Sequence, residues 1–487
     1  MLNNFEGRKL ALIVDFYEFT MGEGFFLTDE YKREAVFDVF FRKIPQDGGY
    51  AVLAGIESVV EFVQNLKFYD DEIEYLRSVG LNKNFLEYLK NFKFTGEIYG
   101  IREGSVVFPM EPLIRVKAPI IEAILLEGAI LNLINHQTLI ATKASRVVYA
   151  AKDSGKVMEF GLRRAQGFDA GVLGARAAVI GGCVSTSNVL TGKKYGSKIS
   201  GTQAHLWIQF FPDELTAFRT YAKIHPDNVI LLVDTYNVLK SGVPNAIKVF
   251  KECKKAGTLK TYGIRIDSGD IASLSKRAKE MLDAEGFTDA IICASNDLNE
   301  YLISDLLTQG AKVNSYGVGT ELITAKQNPS LGGVYKLAAV EENGKLSPRI
   351  KLSENEEKIT NPGYKTVFRF KDSKTGLFIA DLIALAGETF DSADGITLFD
   401  PVHTYKKTVL KPNTYTVEEL LVPLFVNGKC VYEERKLDNI AKYCKEQKDG
   451  LWEEYKRLYN PHEYHVDLSN ALYDLKKQLI YEHSDNF

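Results

Sequence analysis

The sequence predicts an α/β protein with three parts: a parallel sheet of seven strands, closed or nearly closed into a barrel over residues 121–340, an N-terminal α+β domain (1–120), and a C-terminal segment (341–487) packing partly on that domain. Three observations carry this expectation. Strand-like segments near 157–161, 183–187, 199–203, 229–233, 261–266, 290–294 and 313–318 alternate with helical segments, the rhythm of repeated βα units. Polar or glycine residues follow these runs, as they do where strand ends form one reactive face. At 487 residues the chain exceeds one ordinary core, so two or three domains are expected.

Residues 9–54 are mixed: DFYEFTMGEGFF is followed by AVFDVFFRKIP, where Phe37, Val39 and Phe41 alternate as in a half-buried strand. Helical spacing runs through 56–92, and 94–118 returns to short strands punctuated by Gly96, Gly100, Gly104 and Pro109. An apolar-periodic helix over 122–151 leads into the barrel, whose later strands are separated by helical segments at 213–226, 244–257, 270–286 and 298–309. After 334 the pattern changes to VYKLAAV, PRIKLS and a charged passage, then to helices near 436–458 and 467–482. In PHEYH the histidines His462 and His465 are three apart behind a proline, whereas a zinc-binding helix needs four, so the stretch reads as the start of a surface helix.

Apolar content of 45% with 25% charged residues is that of a soluble globular chain. The net charge of -4 and pI near 6.1 arise from interspersed acids and bases without a basic block, so no nucleic acid and no membrane is expected as partner. The apolar run Leu10–Val14, broken at once by Asp15, is too short for a signal peptide or a membrane span, and a cytoplasmic location is expected. Five cysteines without a close pair read as reduced packing residues.

The chemistry concentrates in residues 159–210. Arg163 and Arg164 follow one apolar run, Ser185 to Asn188 another, and Thr202 and His205 a third, so three strand-like segments end in groups that bind anions or act as nucleophiles. His205 reads as a hydrogen-bonded core residue, a general base, or a nucleophile accepting a phosphoryl group, and spacing does not choose between them. In IRIDSGD, Arg265 and Asp267 point to the same side of one strand, either as a structural ion pair or as a clamp for carboxylate, phosphate or ribose. ASN (294–296) and YGVGT (316–320) end the last two strands, where glycine lets backbone N–H groups approach an anion and a helix start favours it. Neither a Walker loop nor GxGxxG occurs.

Together DFYEFTM, LNLINHQTLIATKASR, EFGLRRAQG, STSNVLTG, SGTQAH, LLVDTYNV, GIRIDSGD, ASNDLNE, YGVGTELIT, PSLGGVYKL and KLSENEEKITNPGYK resemble the nicotinate phosphoribosyltransferases, co-linearly from about residue 9 to 370. The resemblance implies a type II phosphoribosyltransferase: an irregular seven-stranded α/β barrel beside an N-terminal α+β domain, working as a homodimer with shared sites. It implies transfer of phosphoribosyl from 5-phosphoribosyl 1-diphosphate to nicotinate in NAD salvage, with Mg²⁺, and with ATP hydrolysis coupled through phosphorylated His205. By the same resemblance the pyridine ring stacks between Phe160 and Tyr17 of the neighbouring subunit, with Arg163, Arg265 and Thr202 around it. Asp267 takes the ribose hydroxyls, Ser295, Asn296, Gly319 and Thr320 the 5-phosphate, and Lys351 and Lys365 the diphosphate side, while the metal ligands stay unassigned. Ser187 is implied as an acceptor-reading position, where nicotinamide-specific relatives carry aspartate. Rival readings are a nicotinamide or quinolinate phosphoribosyltransferase, a phosphate-binding barrel lyase or isomerase, or a silent relative. The strand ends lack a lysine for Schiff-base chemistry, and none of the blocks is broken.

Overall fold

The computed structural model describes residues 5, 7–355 and 358–484, so Glu356 and Glu357 of the KLSENEEKITNPGYK block lie outside the described residues. The chain forms two compact units, residues 143–329 and residues 1–142 together with 330–487. The sequence had suggested divisions near 120 and 340. The first boundary instead falls between Thr142 and Lys143, inside the uninterrupted helix Glu127–Ala151, so neither a glycine nor a proline marks it.

The middle unit is built on a six-stranded sheet of parallel pairs in the spatial order Ser185–Thr186, Lys156–Glu159, Ser315–Val318, Ile291–Ala294, Thr261–Ile266, Asn228–Leu232. Its strands are apolar runs buried along most of their length, Val229–Leu232 among them, as in sheets covered on both faces. The helices Glu214–Ile224, Val243–Lys255, Ile271–Ala284 and Glu300–Thr308 return the chain between the later strands. Asp213, Asp270 and Asn299 cap three of them by accepting backbone N–H groups of the first turn. Buried Glu300 ties the last of these helices to the long one, with Lys143 Nζ at 2.7 Å and Arg146 Nε at 3.1 Å.

The expected strand at 199–203 is corrected to a single parallel bridge between Ile199 and Thr186. The Thr186 N–H donates to Lys198 O at 3.0 Å and the Ser200 N–H to Thr186 O at 2.9 Å, after which the ladder stops. Arg265 takes the groups that would have continued it, donating to Thr202 Oγ1 at 3.0 Å and to Gln203 O at 2.8 Å. Gln203 Nε2 then donates to Ile230 O at 3.3 Å. Residues 199–203 thus touch both the Ser185–Thr186 edge and the Asn228–Leu232 edge. The sheet curls into a half-barrel closed by side chains, and not by a seventh strand.

The other unit interleaves the two ends of the chain. Its antiparallel sheet runs in the order Lys345–Pro348, Val334–Glu342, Glu34–Phe40, Ile114–Pro119, Glu97–Ile101, Leu421–Val426, Lys429–Cys430. Ala35 through Phe40 are all buried, so the strand expected to be half-exposed is instead central. Its inward polar residue Asp38 is paired with Lys365 at 2.7 Å, which lets both faces be covered. A second sheet, Tyr415–Glu419, Lys365–Asp372, Phe378–Leu385, Val466–Leu468, buries Phe368, Phe370, Leu382 and Tyr415. The PHEYH stretch is not a helix start: Tyr464 stacks on Phe108 with ring centroids 3.8 Å apart and donates to Asp381 at 3.0 Å.

Candidate functional site

The carboxyl ends of the parallel strands of the middle unit open into a cleft of about 570 Å³. Phe160 and Gly161 follow the strand Lys156–Glu159, and the Phe160 N–H donates to Val318 O at 2.8 Å, which holds the ring over the neighbouring strand end. A Cβ on Gly317 would lie 2.5 Å from Phe160 Cδ2, so only glycine lets the ring rest there. Glu159, buried behind the ring, accepts from Thr186 Oγ1 at 2.5 Å and from the Gly161 N–H, and burial raises its pKa. It therefore joins the turn that carries Phe160 to the strand that delivers Ser187, whose N–H donates to Glu159 O at 2.9 Å. Ser187 lines the cleft, while Asn188 caps the next helix by accepting from Leu190 and Thr191 N–H at 3.1 and 3.2 Å.

Arg163, Arg164 and Arg265 give one side of the cleft its positive charge. The Arg265 contacts to Thr202 and Gln203 turn the guanidinium across the gap left by the missing strand. Two residues on, Asp267 accepts from Ser295 Oγ through Oδ1 and places Oδ2 3.7 Å from His205 Nε2. The Asp267 loop is organised by Asp234, whose Oδ2 accepts from the Asp267 N–H at 3.0 Å and from Ser268 Oγ at 2.6 Å. His205 begins the helix His205–Phe210, and its Nδ1 is hydrogen-bonded to Thr235 Oγ1 at 3.0 Å, so Nε2 is the nitrogen turned toward Asp267.

The loop after Ile291–Ala294 brings in Ser295, Asn296 and Asp297, and the loop after Ser315–Val318 brings in Gly319 and Thr320. Asn296 has φ of 89°, a left-handed conformation that asparagine tolerates better than most side chains and that turns the chain sharply at the cleft wall. Two of the expected candidates, Arg265 and Asp267, are thus not an isolated ion pair. Each has its own neutral partners, Thr202 and Gln203 for the arginine, Ser295 for the aspartate.

Phe160, Arg163, Ser187, His205, Arg265, Asp267, Ser295, Asn296, Gly319 and Thr320 all line this one cleft, with Thr202 bonded to it through Arg265. Tyr17, Lys351 and Lys365 belong to the other unit. Tyr17 is half-exposed on the helix Phe16–Leu27, where its hydroxyl bonds Glu127; burial, then Glu127, Glu18 and Asp15, push its phenol up to about 12. Lys351 is exposed, with its N–H donating to Thr360 Oγ1 at 3.0 Å. Lys365, expected on the diphosphate side, lies in an interior ion pair: its side chain is 2% exposed, bonded to Asp38 and donating to Gly363 O at 2.7 Å, and burial lowers its pKa.

Four further groups were missed in the sequence. Gln203, Thr235, Asp234 and Glu159 all sit within or beside the quoted motifs, yet their roles depend on partners 27 to 33 residues away. Asp234 at a strand end was the one signal available. Among the described residues, no group of three or more His, Cys, Asp or Glu side chains forms a metal cage.

Residues 12–135 match the nicotinate phosphoribosyltransferase N-terminal domain, 155–369 the nicotinate phosphoribosyltransferase family, and 364–476 the nicotinate phosphoribosyltransferase C-terminal domain. The nicotinate phosphoribosyltransferase of Bacillus subtilis is 44% identical over 98% of this chain and 96% of its own. The human nicotinate phosphoribosyltransferase is 30% identical over 97% of this chain and 98% of its own. The crystal structure of human nicotinic acid phosphoribosyltransferase superposes with a TM-score of 0.84 at 29% identity, covering 96% of this chain and all of that one. Nicotinate-nucleotide pyrophosphorylase from Pyrococcus furiosus shares the fold, with a TM-score of 0.69 at 22% identity over 91% and 96% of the two chains.

Proposed function

The chain is an enzyme that belongs to the nicotinate phosphoribosyltransferase family, and from that premise we propose that it makes nicotinate mononucleotide and diphosphate from nicotinate and 5-phosphoribosyl 1-diphosphate in NAD salvage, with ATP hydrolysis coupled through phosphorylated His205. The observation that carries this reading is the meeting, in one cleft, of the Phe160 ring, the Arg265 guanidinium and the Asp267–Ser295 pair, with His205 Nε2 3.7 Å from Asp267.

In the proposed reaction the pyridine nitrogen lone pair forms the bond to the anomeric carbon as that carbon's bond to the diphosphate oxygen breaks. No proton needs to move. The transition state is oxocarbenium-like, so positioning and charge matter more than a strong base. Phe160 offers a face for the ring, and Arg163 or Arg265 a fork for the nicotinate carboxylate. Asp267 takes ribose hydroxyls, while Ser295, Asn296, Gly319 and Thr320 receive the 5-phosphate. Arg163, Arg164 and Arg265 hold the cleft positive for substrates that are all anions.

Mg²⁺ fits this site as an ion arriving with the diphosphate. A buried Asp234 Oδ1 without a hydrogen-bond partner lies beside the Asp267 loop, and magnesium is commonly held by one or two carboxylates plus phosphate oxygens. Asp234 and Asp267 are the residues that would hold it, and the ion supplies neutralisation of the leaving group. For the ATP half-reaction, His205 Nε2 attacks the terminal phosphorus, ADP leaves, and water later releases phosphate. The Thr235 contact to Nδ1 leaves Nε2 as the nucleophile, and Asp267 steadies the charge that develops on the ring.

A homodimer is part of this reading. Phe168, Leu206 and Phe210 are 93%, 72% and 81% exposed on the middle unit, and the Phe16, Tyr17 and Met21 side chains are exposed on the other. Exposed apolar side chains on both units suit contact with a second copy, Tyr17 meeting the ring at Phe160 of the neighbour. One experiment tests the whole: purified protein with phosphoribosyl diphosphate and Mg²⁺ is offered nicotinate, nicotinamide or quinolinate, with and without ATP. Nicotinate alone should be consumed efficiently, and faster with ATP. Preference for either other acceptor would replace this reading.

A further inference from the structure

Stacking on a pyridine ring asks only for an aromatic face, yet Tyr17 carries a hydroxyl, and that hydroxyl donates to the carboxylate of Glu127. Tyr17 lies in the first turn of the helix Phe16–Leu27 and is 47% exposed, whereas Glu127 opens the long helix Glu127–Ala151 and is half-buried. Burial, and less strongly Asp15, raise the pKa of Glu127, while the charge of Lys336 on the strand Val334–Glu342 and the Tyr17 hydrogen bond favour its carboxylate. The two helix starts are packed on one another. Glu18 is fully buried, and a Cβ on Gly128 would stand 3.3 Å from Glu18 Oε1 and 3.5 Å from Ile13 O, so glycine there lets the segment leading into Tyr17 rest on the turn that carries Glu127. The turn itself is closed by the Glu18 N–H donating to Asp15 O at 2.9 Å and by Thr20 Oγ1 donating to Tyr17 O at 3.0 Å. The Tyr17 backbone and the Glu127 carboxylate are thus held at a set separation. The bond between them removes the freedom that is left, rotation of the ring about its side-chain torsions.

From this geometry we infer that Glu127 is a positioning residue for the acceptor, holding the Tyr17 ring in the orientation that covers nicotinate in the partner subunit's site; this rests on the reading of Tyr17 as a wall of that site. A half-exposed tyrosine without an anchor samples several rotamers, and nicotinate must immobilise it on binding. With the anchor the wall stands ready. The ring is stacked on the pyridine before and during formation of the new bond alike, so the anchor strengthens ground state and transition state equally, and its loss falls on KM rather than on kcat. A bond that served stability alone would lower the melting temperature and leave KM where it was.

The test is steady-state mononucleotide synthesis by the full chain with nicotinate varied, and the melting temperature measured for every variant. Tyr17→Phe and Glu127→Ala should each raise KM for nicotinate about tenfold, the loss falling on KM rather than on kcat. The double variant should be no worse than either single one, because both remove the same bond. Glu127→Gln keeps an acceptor oxygen and should recover most of the loss. Tyr17→Phe changes nothing in the interior and decides the matter if Glu127→Ala does not fold. A parental KM in folded Tyr17→Phe and Glu127→Ala, a lowered melting temperature with KM unmoved, or effects that multiply in the double variant overturns the anchor alone. A Tyr17→Ala enzyme with parental activity overturns the wall, and the anchor with it.

Discussion

Gly317→Ala offers a test whose size can be worked from the structure. The new Cβ would stand 2.5 Å from Phe160 Cδ2 and 2.6 Å from Cε2, where carbon atoms pack at about 3.5–4.0 Å. The ring must retreat by roughly 1 Å. Phe160 is only partly buried and faces the cleft, so it yields by swinging and the strand beneath it stays in register. The stability cost is that of mild overpacking, about 1–3 kcal/mol. The catalytic cost is of similar size, because a misplacement of this size in a stacking wall lowers the rate on the order of a hundredfold, or ~2.7 kcal/mol. The assay is kcat/KM for nicotinate in variants whose folding is checked by circular dichroism, arranged as a cycle with Phe160→Ala. If Gly317 acts through the ring alone, the double variant is no worse than Phe160→Ala, because the methyl group then fills vacated space. A folded Gly317→Ala within about threefold of the parent, or full additivity in the cycle, refutes the argument.

Ser187→Asp should lower kcat/KM for nicotinate at least about a hundredfold while nicotinamide use holds or rises, since two carboxylates about 4 Å apart repel by several kcal/mol at an effective dielectric near 20; Asn188 carries the helix cap, so an equal fall for both acceptors would mean Ser187 does not read the substrate. His205→Ala should abolish ATPase activity and ATP stimulation yet leave slow mononucleotide synthesis, and undiminished stimulation would remove His205 from the phosphoryl-transfer role. Inactive Tyr17→Ala and Arg265→Ala homodimers, mixed under proven subunit exchange, should regain about a quarter of the sites, and a mixture that stays inactive would show that the site is not shared. Glu18 is fully buried, and burial, then the Glu127 charge, push its carboxyl to about 8, against backbone hydrogen bonds from Asp15 and Gly128 that lower it. The folded pKa lies above the unfolded value, so wild-type stability falls as pH rises from about 4.5 to about 8. Glu18→Gln should escape that loss, on the order of 4 kcal/mol, in denaturant titrations at pH 5, 7 and 9, and parallel curves for the two proteins would count against it.

Much of this protein is determined locally and was legible in its residues. The βα alternation from 157 to 318 set the parallel sheet, because periodicity and strand-end polarity act over a few residues. The same rule brings Phe160, Ser187, Asp267, Ser295 and Gly319 to one face, since side chains that follow parallel strands must converge. What the tertiary structure alone decided are the pairings between distant residues. The βα rhythm places a strand at 199–203, but Arg265, over sixty positions on, takes the polar groups of Thr202 and Gln203 and leaves a side-chain clasp in place of a ladder. Nothing in the sequence joins Lys365 to Asp38, its ion-pair partner, which lies in a strand buried on both faces because its charge is paired. A charged residue in a sequence declares its chemistry and not its partner. Whether that charge faces solvent, substrate or a buried counter-ion is settled only when long-range packing fixes the desolvation around it.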